Sequence, residues 1–164
     1  MLLLDIDNSI LFDEATMRTM NKPTLLVERL DGNKQFMTMR AHLRLKRLVE
    51  INQVIPVTSR TVDQFKHLEL FQIDAKPKWA ILESGKTLLK EGKSDKRYEN
   101  WLRQHQQPAT MSSILIYLEE VEVTNWQAYP AMTLSEHLTR PHEGISSVED
   151  ESALLEELFH RYQT

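Results

Sequence analysis

The stretch Met1–Ser9, MLLLDIDNS, decides how the chain is read. Leu2 to Leu4 run straight into Asp5, Asp7 follows two positions on, and the small polar pair Asn8 and Ser9 comes next. A short apolar run of this kind is the pattern of a strand buried on both faces. In an open parallel sheet, ligands bind outside the carboxyl ends of the strands. Two carboxylates one residue apart repel each other, and both gain from a cation or a shared proton.

Further runs repeat the pattern. VIPVTSRT, residues 54–61, is apolar and ends in hydroxyls, although Pro56 counts against a well-paired central strand there. KWAILES, residues 78–84, is a third run, punctuated by Gly85. Between the first two, Asp31-Gly32 separates alternating segments and predicts a hairpin. AHLRLKRLVEIN then sets Ala41, Leu45, Leu48 and Val49 on one helical face. VDQFKHLELF reads as a further helix. Helices between short buried strands predict an α/β fold with a parallel sheet and right-handed crossovers.

After Gly92 the texture changes. SDKRYENWLRQHQ reads as a helix opening on a Ser cap. SSILIYLEEVEV fits helix or strand, and TNWQAYPAM fits neither pattern. SSVEDESALLEELFHRY has Ser146 and Glu149 at capping-box spacing and an apolar stripe, the clearest helix signal in the chain. The break near 85–93 is the best candidate domain boundary.

The chain has 164 residues, 41% hydrophobic and 27% charged, an ordinary globular composition. With no cysteine, disulfide and thiolate chemistry are excluded. A net charge of −4 offers no general attraction to nucleic acid or an anionic membrane. The cluster Arg40, Arg44, Lys46 and Arg47 reads as a solvated helix face. The apolar run before Asp5 is too short for a signal peptide, and no stretch approaches membrane-spanning length, so a cytoplasmic protein is expected.

Two strand ends carry residues suited to chemistry: Asp5-Ile6-Asp7 and Thr58-Ser59-Arg60. Magnesium, a hard cation taking oxygen ligands, would relieve the carboxylate pair. One acid then serves as a nucleophile toward phosphorus and the other handles protons. A hydroxyl on the neighbouring strand end is suited to hold a phosphoryl oxygen. Taken singly, an Asp-x-Asp is commonly a surface turn and a Thr-Ser pair is commonly loop chemistry. Their order, each after a buried-type run, is far more specific.

LLLDIDNS resembles the first motif of the haloacid dehalogenase-like phosphohydrolases, an apolar strand, then Asp-x-Asp, then x and Thr or Val. VIPVTSR resembles the second motif, an apolar strand ending in Thr or Ser. WAILESGKTLLKEG resembles the stretch leading into the large cap of the sugar-phosphatase branch, with Glu83-Ser84-Gly85-Lys86 where Asn-Gly-Ala is usual. The resemblance covers residues 1 to about 95 directly. It implies a Rossmann-like parallel sheet core, held in part by residues 1–86, and an α+β cap region over 87–164. It also implies a magnesium-dependent phosphatase of small phosphorylated metabolites such as sugar phosphates. In that scheme Asp5 forms the aspartyl-phosphate and Asp7 is the general acid and base. Asp5 and the Asp7 main-chain carbonyl hold Mg2+, and Thr58 binds the phosphoryl group with Ser59 and Arg60 beside it.

The family's third and fourth motifs, a lysine and a later Gly-Asp acid set, have no counterpart where expected. None of Gly32, Gly85, Gly92 and Gly144 precedes an Asp, and the last lysine is Lys96. Glu149, Asp150 and Glu151 are better explained as first-turn acids of a helix, and Arg60 is the best substitute cation by position. Three expectations follow: weak or absent hydrolysis by this chain, a non-catalytic phospho-ligand or protein-interaction module, or a shortened or split enzyme completed by a second copy or chain. The six histidines, including His137 and His142, show no trusted metal spacing. Trp101 reads as core; Trp126 and Tyr129 have no lean.

Overall fold

The computed structural model describes residues 2–7, 10–19 and 22–121, and the backbone of 127–129. Strand β1 (Leu2–Asp5) leads into a tight turn in which the Ile6 carbonyl accepts from the N–H groups of Ile10 (3.0 Å) and Leu11 (3.2 Å). The chain returns through β2 (Phe12–Asp13) and the short helix α1 (Glu14–Arg18). β3 (Thr24–Leu30) and β4 (Asn33–Thr38) then form a hairpin on Asp31-Gly32, with φ of 50° and 80°. Positive φ at both central residues is what a two-residue hairpin turn requires. These strands make a small antiparallel sheet in the order β2-β4-β3.

Helix α2 (Met39–Glu50) starts on Thr38, whose hydroxyl accepts from Ala41 N at 3.1 Å, and buries Ala41, Leu45, Leu48 and Val49 as its periodicity predicts. Then come β5 (Val54–Val57), α3 (Val62–Lys66), a π-helical turn (Leu70–Asp74) and β6 (Trp79–Leu82). After a 3-10 turn (Glu83–Gly85) follow β7 (Thr87–Lys90), β8 (Lys93–Ser94), α4 (Lys96–His105), α5 (Met111–Val121) and β9 (Gln127–Tyr129).

The main sheet runs β8-β7-β6-β5-β1-β9. β9, β1, β5 and β6 are parallel; β7 and β8 turn back antiparallel. Its alternation explains why the strands read as unbroken apolar runs. Leu2, Leu4, Val54, Ala80, Leu82 and Leu89 join α2 and α3 residues in one core cluster. Leu3, Ile55, Val57, Trp79, Ile81 and Leu88 join α4 and α5 residues in another. The result is a mixed α/β fold with helices on both faces of the sheet.

Four features depart from the sequence reading or go past it. Pro56 sits in a fully buried strand between β1 and β6. Gln53 O faces β1 and Thr58 N faces β6, so by alternation the prolyl nitrogen faces β6, where the paired register is one residue pair, Val57↔Ile81. The missing donor thus falls where the ladder is already short. The stretch 87–121, read as the start of a cap, pairs and packs with this same sheet. A fourth parallel strand, β9, lies beside β1, from a segment that gave no readable pattern. Asp95, not Ser94, caps α4, accepting from Arg97 N at 3.1 Å.

The ambiguous SSILIYLEEVEV forms α5 as far as Val121. The expected helix at 146–162, the acids Glu149 to Glu151, and Trp126, His137, His142 and His160 lie outside the described residues. No helix among the described residues is long and apolar enough to cross a membrane.

Candidate active site

Register brings the two sequence motifs to one edge. Asp5 pairs with Val57, so Asp5 and Thr58 stand at the carboxyl ends of adjacent parallel strands. Both are buried, at 2% and 3% exposure. Asp5 Oδ1 accepts from the N–H of Ile6 at 3.0 Å. Thr58 Oγ1 accepts from Arg60 N at 3.1 Å, and Thr58 N donates to Ile81 O at 3.0 Å.

Beyond Thr58 the chain is stitched to the end of β6. Ser84 N donates to Thr58 O at 3.1 Å and Glu83 N donates to Arg60 O at 3.0 Å. Glu83, Ser84 and Gly85 all have left-handed φ, at 52°, 55° and 95°. Left-handed backbone at two successive non-glycine residues costs energy, and such strain clusters at functional sites.

Arg60 is the centre of charge. Its Nε and Nη2 donate to Asp7 Oδ2 (3.1 Å) and Oδ1 (2.8 Å). Nη1 and Nη2 donate to Glu28 Oε1 (2.6 Å) and Oε2 (2.8 Å). The guanidinium therefore makes a fork to each of two carboxylates, the geometry in which arginine binds oxyanions best. Burial alone would lower the Arg60 pKa, but the hydrogen bonds and charges of Glu28 and Asp7 outweigh it and hold it above its usual value.

Glu28 was not legible as a site residue. Its side chain is 3% exposed. A bulge in β3 explains how it comes inside: the register with β4 shifts between Leu26 and Glu28, and Val27 and Glu28 are both buried. In a regular strand successive side chains point to opposite faces. The bulge re-aims one of them, as bulges near functional sites do. An acid inside the run TLLVERL was the available signal.

Asp7, Glu28, Ser59 and Arg60 line one cleft of about 340 Å3, walled by Asp31, Asn33 and Gln35 of the hairpin and by Gln64 of α3. Asp5 and Thr58 are not among its lining residues. Among the described residues no group of three or more His, Cys, Asp or Glu gathers as an all-protein metal cage. Asp5, a buried carboxylate at a strand end, is the residue that would offer a ligand to an ion taking its remaining ligands from water and phosphate, which is how magnesium is usually held.

Compared with known proteins, the chain matches no family model and no curated sequence.

Proposed function

We propose that the chain is a phosphoric monoester hydrolase of the haloacid dehalogenase-like type, acting on a small phosphorylated metabolite. The observation that carries this reading is the meeting of Asp5 and Thr58 at adjacent strand ends, with Arg60 forked onto Asp7. Asp5 is the nucleophile: a carboxylate oxygen attacks phosphorus, the bond to the leaving oxygen breaks, and Asp7 gives that oxygen its proton. Asp7 then takes a proton from water, the water oxygen attacks phosphorus, and the aspartyl–phosphate bond breaks to free phosphate and Asp5. Thr58 donates its hydroxyl to the transferring group. Asp5 and the Asp7 carbonyl would hold magnesium, which when bound would supply charge neutralisation on the phosphate oxygens.

Arg60 stands in for the family's missing lysine. An incoming phosphate competes with Asp7 and Glu28 for its fork, and that exchange frees Asp7 for proton transfer and deepens the cleft toward Asp5. The assay is hydrolysis of p-nitrophenyl phosphate with magnesium by the chain and its Asp5→Asn variant. Loss of hydrolysis in the variant supports the mechanism; equal rates sink it.

A second reading is favoured by one observation: both faces of the Arg60 fork already hold carboxylates, and Asp5 is not exposed. A non-catalytic protein-interaction module on this fold fits that arrangement. It predicts no turnover and no phosphate binding that depends on Arg60.

A further inference from the structure

A large cavity lies at the opposite edge of the sheet from Asp5. It has a volume of about 600 Å3 and sits where β6 begins and β7 ends, between the C-terminal end of α2 and the 71–78 segment. That volume is within the range that holds a small organic ligand, roughly 300–1,000 Å3.

Its inner wall is apolar. Phe65 and Phe71 are stacked, with ring centroids 5.5 Å apart and planes 14° from parallel, and both are buried. Ala80 and Leu89 of the sheet complete the wall. Ala80 makes the room: its neighbours along β6 on either side are Trp79 and Ile81, but their side chains point into the other core cluster. A methyl group is all that β6 presents at this point.

The rim is charged, and its balance differs from that of the chain. Lys76, Lys78 and Lys93 line the mouth with Glu50 and Glu91. Glu50 is engaged with Arg47 at 3.4 Å, which offsets its charge. The mouth is therefore cationic on a protein of net charge −4. An apolar wall built on stacked rings beneath lysine ammonium groups suits a ligand with an aromatic body and an acidic head.

We infer that this cavity is a binding site for a small aromatic acid, an aryl carboxylate, sulfonate or phosphate ester, separate from the candidate active site. The aromatic body lies against Phe65 and Phe71, and the acid meets Lys76 and Lys93. The inference does not rest on the proposed hydrolase activity. α3 stands between the two places, since Gln64 lines the cleft of Asp7 and Phe65 lines this cavity.

The test uses the whole chain and 1-anilinonaphthalene-8-sulfonate, an aromatic acid whose fluorescence rises in apolar surroundings. Saturable binding with one site per chain is expected. Lys76→Glu with Lys93→Glu, both exposed, should weaken binding by about tenfold or more. Ala80→Leu should abolish it by filling the slot. Asp5→Asn should leave it unchanged. Unchanged affinity in the double lysine variant overturns the inference, as does equal affinity for the uncharged N-phenyl-1-naphthylamine. Unchanged affinity in a folded Ala80→Leu variant does the same.

Discussion

Arg60 holds Glu28, a residue 32 positions earlier in the chain, by two hydrogen bonds of 2.6 and 2.8 Å, with both side chains largely out of water. This pair ties the β3–β4 hairpin to the strand-end site. Breaking a buried ion pair from one side costs more than the pair contributes, because the other charge remains in the protein. Arg60→Met strands both Glu28 and Asp7 and should therefore destabilise the fold by about 3 kcal/mol, read as a shift in the urea midpoint at unchanged slope. Glu28→Gln leaves Arg60 forked on Asp7 and should cost less. A Glu28→Gln variant as unstable as Arg60→Met would show that the fork is not the cause.

Thr58→Val keeps the side-chain volume and the strand end but removes the hydroxyl that accepts from Arg60 N at 3.1 Å. If Thr58 holds the transferring phosphoryl group, hydrolysis of an aryl phosphate should fall by about 10²-fold, mostly in kcat. A change confined to stability, with kcat intact, would assign Thr58 to loop structure alone.

Gly85 and Gly92 separate two causes of glycine dependence. Both have positive φ, at 95° and 80°. A Cβ at Gly85 would lie 2.7 Å from Met111 N, whereas a Cβ at Gly92 would meet nothing within 4 Å. Gly92→Ala should cost about 1 kcal/mol from backbone strain alone, and Gly85→Ala about 3 kcal/mol or more, since α5 must also move. Thermal unfolding of the two variants measures the difference.

The second core cluster makes stability fall at alkaline pH. Burial pushes the Tyr98 phenol up to about 12. Burial also pushes the Tyr117 phenol up to about 12, helped by its hydrogen bond to Asp95 Oδ2 at 2.9 Å. Both values lie above the unfolded value of about 10. The folded state therefore keeps these protons while the unfolded chain releases them, so their stabilisation is full below pH about 10 and is lost as pH rises through about 12. Urea unfolding between those limits should show a falling midpoint, and Tyr117→Phe should flatten the fall. A profile as steep in Tyr117→Phe would place the titration elsewhere.

What was legible in the sequence were features that depend on neighbours along the chain. The apolar runs at Leu2, Val54 and Trp79, the α2 stripe and the Asp31-Gly32 turn each declare themselves by local pattern. Asp7, Ser59 and Arg60 do meet in one cleft. Glu28 was not legible, because a bulge breaks the alternation that assigns strand residues to faces. Pro56 hides its strand from a sequence reading, because the side to which a prolyl nitrogen points depends on tertiary register. The sheet's sixth strand, β9, is three residues long, too short to impose a period.

The order of strands in the main sheet also carries a consequence for how the protein folds. β6, β7 and β8 lie within residues 79–94 and meet through short turns, so their contacts close small loops. β1 instead pairs Leu2 with Val54 on one side and Gln127 on the other. Contacts so distant in sequence bear the largest loop-closure entropy and slow the rate of folding. The edge that carries Asp5 is thus assembled from the longest-range contacts of the sheet, while the edge beyond β6 is almost self-contained. Destabilising changes in the β6–β8 hairpin should act on early steps, and changes around β1 on the late ones, so that the acidic strand end acquires its neighbours only as the chain completes its fold.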